Sequence, residues 1–369
     1  MKIKQLLLPI VLLGIVVLIY WISGQKAGHG SSNAPVVAVT PRISVAQKAS
    51  KYPVAKEITT PDGFINTGGQ PIKIGDYIGK KVILLDIWTY SCINCQRTIP
   101  YLNAWYDKYK DKGLVVIGLH TPEFGFEKIL DNVQKATEKF GISYPVVLDN
   151  DFSTWNAYQN SYWPRKYLID IDGYVVYDHI GEGGDEDTEA EIQKLLQERA
   201  DVLQTGDVIP TGFVAPGKVS VEAGSPETYF GSLRNIYLGN GEKGAAGIQT
   251  FAFPKIQTVN KLYLDGQWSM EPEYAESVSA GARVSYDYIS KDVYIVASSK
   301  EGVTIEVQRD GMPLGAEAGK DVVVKDGAST IFIHDARLYH VIHENAPGEH
   351  TLLIKVRGAG LEAFTFTFG

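Results

Sequence analysis

The sequence predicts an α/β domain over residues 57–209 followed by an all-β sandwich of jelly-roll-like type over 210–369. Three observations predict this. Strand and helix signals alternate up to about residue 205. Past residue 210 the helical periodicity disappears, and short alternating segments recur between turn residues. The chain's 369 residues also exceed what one core usually organises, roughly 250–300. At 44% hydrophobic and 21% charged, the composition is that of an ordinary folded protein. The net charge is −8 and no basic block follows the N-terminus, which argues against a nucleic-acid partner.

The N-terminus predicts the compartment. Lys2 and Lys4 precede Leu6–Ile22, a run without a charged residue that would span roughly 26 Å as a helix. Tyr20 and Trp21 lie at its far end, where aromatic side chains favour the membrane interface. Residues 1–23 are therefore expected to be a single transmembrane anchor, in contact with lipid over residues 6–22. The lysines place its N-terminus in the cytoplasm and both domains outside, in a periplasm or at the cell surface. A cleaved signal peptide would have a shorter apolar region, about 7–15 residues, and a small-x-small cleavage site. Residues 24–56, rich in Gly, Ser, Ala and Pro, read as a flexible linker.

Within the α/β domain, apolar runs at Val82–Trp88, Leu114–Leu119, Pro145–Leu148, Tyr167–Ile171 and Tyr174–Tyr177 read as strands. Helical patterns fall at Ile93–Lys110, Phe126–Phe140, Phe152–Tyr158 and Thr188–Gln204. The unbroken run Val82–Trp88 is expected to be buried on both faces. Asp172-Gly173 splits the last two runs and signals a hairpin. Asp185, Glu186 and Asp187 complement the dipole of the helix they precede. In the second domain, 303–311, 329–335, 350–358 and 361–369 read as strands.

The only two cysteines are Cys92 and Cys95, in "WTYSCINCQRTIP", between the buried strand and a helix. The free N–H groups and dipole of a helix N-terminus favour a thiolate over a thiol. The first cysteine is exposed at the turn, and the second, almost one helical turn on, is more buried. This is the arrangement for thiol–disulfide exchange: Cys92 attacks a disulfide and Cys95 resolves it. A structural disulfide across so short a loop would add little stability. A zinc site would need two more ligands, and His120 and His179 lack ligand-like spacing. Asp86, in the middle of the apolar strand, should have its pKa raised by burial and serve as a proton acceptor for Cys95; the competing reading is a carboxylate satisfied by a nearby backbone or hydroxyl group. Pro100 falls inside the helical pattern and should kink it. Trp163-Pro164 is a candidate cis peptide. His120 and Glu123 sit at a strand end and serve either proton transfer or the loop's stability. His334, His340 and His343 suggest a metal, but positions 340 and 343 of a regular strand point to opposite faces, so no metal site is read there.

"ILLDIWTYSCINCQRTIPYL" and "WNAYQNSYWPRKYLIDIDG", together with "LHTPEF", resemble the thioredoxin superfamily, specifically its TlpA-like branch in DipZ-type thiol:disulfide oxidoreductases. The likeness covers residues 57–205. "PETYFG" and the terminal "AFTFTFG" resemble the β-sandwich that follows in DipZ-type proteins. The resemblance implies a thioredoxin-like fold with Cys92 as nucleophile, Cys95 as resolving thiol and Pro164 as the cis-proline. Asp86 falls where the family keeps its buried acid, and Trp88 where it keeps a tryptophan. Thr89, Tyr90 and Trp163 surround the site. No cofactor and no metal is implied. The partners implied are protein disulfides and a separate membrane electron donor of CcdA-like type, because DipZ-type proteins carry a multi-helix electron-transfer domain that a single anchor helix replaces here. Cytochrome c biogenesis is the process the resemblance suggests, with the protein as a reductant.

Two other functions compete. Thr89-x-x-Cys92 matches the peroxide-binding threonine and cysteine of peroxiredoxins, although that family's proline is Leu85 here. Alternatively the β-sandwich carries the main role and binds glycans or a partner, with Tyr229, Phe230, Trp268, Tyr274, Tyr286 and Tyr288 stacking on sugars; packing into the core is the competing role for each aromatic.

Overall fold

The computed structural model describes residues 42–217 and 224–369. The expected membrane span at 6–22 lies outside them. Among the described residues, no helix is long and apolar enough to cross a membrane.

Order begins earlier than the composition suggests. Helix α1 (Val45–Lys51) lies inside the stretch expected to be a linker, which is corrected at its C-terminal end. Ser44 caps it in a reciprocal capping box with Gln47, satisfying free N–H groups of the first turn. Lys48 is buried, and its ammonium lies 2.6 Å from Asp170, 2.7 Å from Asp172 and 2.5 Å from Glu198. A charge cluster therefore docks a segment that has few apolar residues of its own.

The first domain runs β1 (Gly63–Ile65), β2 (Val82–Trp88), α2 (Ile93–Tyr109), β3 (Leu114–His120), α3 (Leu130–Lys139), β4 (Val146–Leu148), α4 (Ser153–Ala157), β5 (Arg165–Ile169), β6 (Val175–Ile180) and α5 (Asp185–Leu203). Its six-stranded sheet has the order β1-β4-β3-β2-β5-β6. Strands β2, β3 and β4 are parallel; β1, β5 and β6 are antiparallel to their neighbours. The expected hairpin joins β5 to β6. Every residue of β2 and β3 is buried, as a continuous apolar run requires when both faces are covered. The pleat sorts their side chains: Ile83, Leu85 and Ile87 enter one core, and Val82, Leu84 and Trp88 enter the other, with Cys95 and the apolar stripe of α2. Asp86 shares the parity of the second set, and so faces the cysteines.

The second domain contains β7 (Thr228–Tyr229), β8 (Gly247–Phe251), β9 (Leu262–Met270), β10 (Ala275–Ser277), β11 (Arg283–Ser298) and β12 (Val303–Arg309). It continues with β13 (Met312–Pro313), β14 (Val323–Lys325), β15 (Ala328–Ile333), β16 (Arg337–Val356) and β17 (Glu362–Phe368). Among the described residues, its strands hydrogen-bond into one eleven-stranded sheet rather than two separate sheets. The 16-residue β11 pairs with β9 near its start and with β17 near its end, so the sheet turns over around a single apolar core.

Two expectations for this domain are corrected. Phe230, Trp268, Tyr286 and Tyr288 are fully buried, Tyr274 packs on Phe364 and Tyr229 is tied to Glu123, so they form no open sugar-stacking platform. The alternation argument separating His340 from His343 also fails. Val293 of β11 pairs with Ile342 while Tyr294 pairs with His340, leaving Val341 as an extra residue in β16. This bulge turns both histidines to one side, where they share the carboxylate of Asp292.

Candidate active site

Strand β2 ends at Trp88, a short turn follows, and Cys92 is the N-cap residue of α2. Its sulfur accepts a hydrogen bond from the Cys95 backbone N–H at 3.4 Å, as capping oxygens do elsewhere. Cys92 is partly exposed, Cys95 is 1% exposed, and both thiols are free. Burial pushes the Cys95 thiol well above its usual pKa, and the hydrogen bond and charge of Cys92 add to the rise. One sulfur is thus presented to solvent at a helix N-terminus, and the other is held protonated behind it.

The Trp163-Pro164 peptide is cis, as expected, and the Trp163 carbonyl oxygen lies 4.0 Å from the Cys92 sulfur. The Trp163 indole donates to the Thr121 carbonyl at 3.0 Å and packs on Trp155. Pro164 and Cys92 therefore flank the same surface.

Beneath the sulfurs lies Asp86, 1% exposed, with Oδ1 unpartnered. Burial raises its pKa to about 7; the charge of Lys166 works against that rise. Lys166 is the register partner of Asp86 on β5, is itself fully buried, and donates to the Gly183 carbonyl at 3.0 Å. Burial lowers the Lys166 pKa, opposed by the charges of Asp86 and Asp185. The charge of Asp86 acts on Cys95 in turn, raising its pKa further. A carboxyl group that titrates near neutrality behind the resolving thiol is equipped to take that thiol's proton.

Trp88 is buried beside this group, and its indole needs the space left by Gly118: a Cβ there would lie 2.8 Å from the indole nitrogen. His120 meets Trp88 edge-on at 5.0 Å and stacks with Tyr90 at 5.8 Å. Burial drops the His120 pKa to about 3, so its ring is neutral and packs. Thr89 is buried too, its hydroxyl 3.5 Å from His120 Nε2, which is not the open position a peroxide-binding threonine requires. Tyr90 donates its phenol proton to the Ala336 carbonyl of the second domain at 3.1 Å.

Sequence reasoning missed Lys166 and Glu127. The signal for Lys166 was a second in-strand charge, in "RKYLID", on a strand able to pair with that of Asp86. Glu127 is fully buried and accepts from the Ser91 N–H at 3.2 Å, the Ser91 hydroxyl at 2.7 Å, and the N–H groups of Glu123 and Phe124 at 2.7 and 3.0 Å. It ties the turn before Cys92 to the loop after β3. Nothing in its local sequence set it apart from a surface carboxylate.

Glu123 turns away from the sulfurs and reaches the second domain, accepting from the Tyr229 hydroxyl at 2.7 Å and from Arg234 at 2.8 Å. Ile93, the first residue of α2, joins Phe124, Tyr294, Val296, Leu338 and Phe364 in one buried cluster. A cleft of about 420 Å³ opens beside Tyr90, between Gln96, Lys135 and Lys139 on one side and Asp335, Arg337 and Leu338 on the other. Both domains therefore shape the surface around the cysteines.

The chain is similar to known proteins along most of its length. A Redoxin family model matches residues 47–196, and a model described as a thioredoxin-like C-terminal domain matches 225–369. Protein DipZ of Mycobacterium bovis is 37% identical over 341 residues, 92% of this chain and 46% of DipZ. The chain thus spans about half the length of those curated relatives. The thiol-disulfide oxidoreductase ResA of Geobacillus kaustophilus is 33% identical over 147 residues, 39% of this chain and 80% of ResA. A solved thiol-disulfide isomerase from Corynebacterium glutamicum aligns with 40% of this chain and 97% of its own, at 20% identity and a TM-score of 0.36.

Proposed function

This chain belongs to the thioredoxin-like thiol-disulfide oxidoreductases of the DipZ and TlpA type, and from that membership we propose that it reduces protein disulfides outside the cytoplasm through Cys92 and Cys95. One observation carries the reading: a partly exposed sulfur caps a helix, and a buried thiol sits behind it over a carboxyl group that titrates near neutrality. The Cys92 thiolate attacks one sulfur of the substrate disulfide, forming a mixed disulfide and releasing the first substrate thiolate. Asp86 takes the proton of Cys95. The Cys95 thiolate then attacks the Cys92 sulfur, closing the Cys92–Cys95 disulfide and releasing the second substrate thiolate. Two electrons pass to the substrate.

Anchoring through residues 6–22, extracytoplasmic placement and resupply of electrons by a CcdA-like membrane donor belong to the same proposal. The charge-free run Leu6–Ile22 behind two lysines supports the anchor. The TlpA-like resemblance of the sequence suggests the direction of transfer and a role in cytochrome c biogenesis, and ResA among the relatives is a thiol-disulfide oxidoreductase.

The test is disulfide reduction of insulin by the reduced chain. Cys92→Ser abolishes turnover, whereas Cys95→Ser accumulates a mixed disulfide with the substrate. Turnover by the Cys92→Ser variant would refute the assignment. The reduction potential settles direction: a value near about −270 mV supports a reductant, and one near about −120 mV makes the protein an oxidant.

A further inference from the structure

Cys92 and Cys95 account for the redox site, but not for the cluster formed by Asp292, His340 and His343 in the second domain. Imidazole nitrogens from two positions of β16 converge on one carboxylate oxygen of β11: His340 Nε2 lies 2.8 Å and His343 Nδ1 2.7 Å from Asp292 Oδ1. The three ligand atoms all lie within 4.8 Å of one another. Metal–nitrogen and metal–oxygen bonds of about 2.0–2.2 Å place tetrahedral ligands roughly 3.3 Å apart, so the two imidazole–carboxylate distances would have to open by about half an ångström to admit an ion.

Three further observations point to a ligand. The convergence exists only because of the Val341 bulge, and bulges of this kind re-aim side chains at functional sites. The site is supported from behind. Asp292 exchanges backbone hydrogen bonds with the terminal residue Gly369, the His340 N–H donates to Asp321 at 2.7 Å, and the His340 ring stacks on Tyr294 at 4.4 Å. Burial is also graded: the side chains of Asp292 and His340 are 8% and 13% exposed, and that of His343 is 52% exposed. Two ligands are thus held in place and the third faces solvent, giving an ion a route in and leaving a coordination position for water.

We propose that Asp292, His340 and His343 form a binding site for a divalent first-row transition metal, with zinc the best fit to two imidazoles and one carboxylate. The ion would take the place of the hydrogen bonds between the imidazoles and the carboxylate, and would clamp β11 to β16 next to Tyr294. Tyr294 packs in the same cluster as Ile93, so the clamp would stiffen the surface on which α2 rests.

The test is cobalt(II) titration of the full chain in its oxidised form, in which Cys92 and Cys95 are disulfide-bonded and offer no thiolate. One equivalent should develop visible d–d absorption without sulfur charge-transfer bands, and one equivalent of zinc should remove it. Zinc should also raise the melting temperature by mass action on the native state. His343→Ala and Asp292→Asn should each lose the absorption and the thermal shift, with affinity falling by roughly tenfold or more. His334→Ala, removing an exposed histidine outside the cluster, should change neither. Because His343 is exposed, its alanine variant is expected to fold, as circular dichroism would verify. No absorption from the wild-type chain, or undiminished absorption from His343→Ala, would overturn the assignment.

Discussion

Asp86 shows how much one side chain can decide. Its folded pKa of about 7 exceeds the roughly 3.9 of an unfolded aspartate, so the native state holds the proton more tightly. The contribution of Asp86 to native stability is therefore highest below about pH 4, falls as the pH rises through about 7, and stays low above that. Asp86→Asn removes the penalty. It should stabilise the chain by on the order of 4 kcal/mol at pH 8 and by almost nothing near pH 4, read by urea denaturation at the two values. The same variant should slow closure of the Cys92–Cys95 disulfide by roughly 100-fold and erase the rise in rate through pH 7. A stabilised variant that keeps wild-type closure kinetics would leave Asp86 a buried acid without a role in exchange. Lys166 belongs at this scale too, since the register that places it opposite Asp86 is what keeps that carboxyl from an even higher pKa.

At the scale of elements, α1 and the bulged β16 depart most from the sequence reading. Helix α1 is held by an ammonium among three carboxylates rather than by an apolar stripe. Lys48→Met would leave those carboxylates crowded around a neutral chain, a loss of about 3 kcal/mol. Proteolysis should then begin at residues 44–56 in the variant and not in the wild type. Equal stability of the two chains would mean the cluster contributes nothing net. The β16 bulge is the converse case. A period of two is a sound rule for a regular strand, and one inserted residue reverses every facing beyond it.

At the scale of the whole molecule, the β domain packs against the start of the redox helix. The Glu123 carboxylate bridges to Tyr229 and Arg234, the Arg234 guanidinium lies 3.7 Å from the Tyr229 ring centre, and the Ile93–Phe364 cluster seals the contact. Arg234 is partly solvated, so the ion pair itself is worth only about 1 kcal/mol. A double-mutant cycle with Glu123→Gln and Arg234→Met, read by denaturant unfolding, should return a coupling of that size. A coupling indistinguishable from zero would assign the domain contact to the apolar cluster alone.

The change of fold class near residue 210, the buried strand Val82–Trp88, the helix opening on Cys92 and the exchange chemistry of the two thiols can all be read from the residues alone. These are legible because they rest on local signals: hydrophobic period, turn residues, and two cysteines three apart at a strand-to-helix junction. That Lys166 faces Asp86, that Glu127 anchors the turn before Cys92, that Glu123 and Tyr90 reach the second domain, and that two histidines share Asp292 emerge only once the chain is folded. Each of these depends on strand register, on a one-residue bulge or on chain segments far apart in sequence. Register and docking are set by the sum of many packing contacts, and no short window of residues contains that sum.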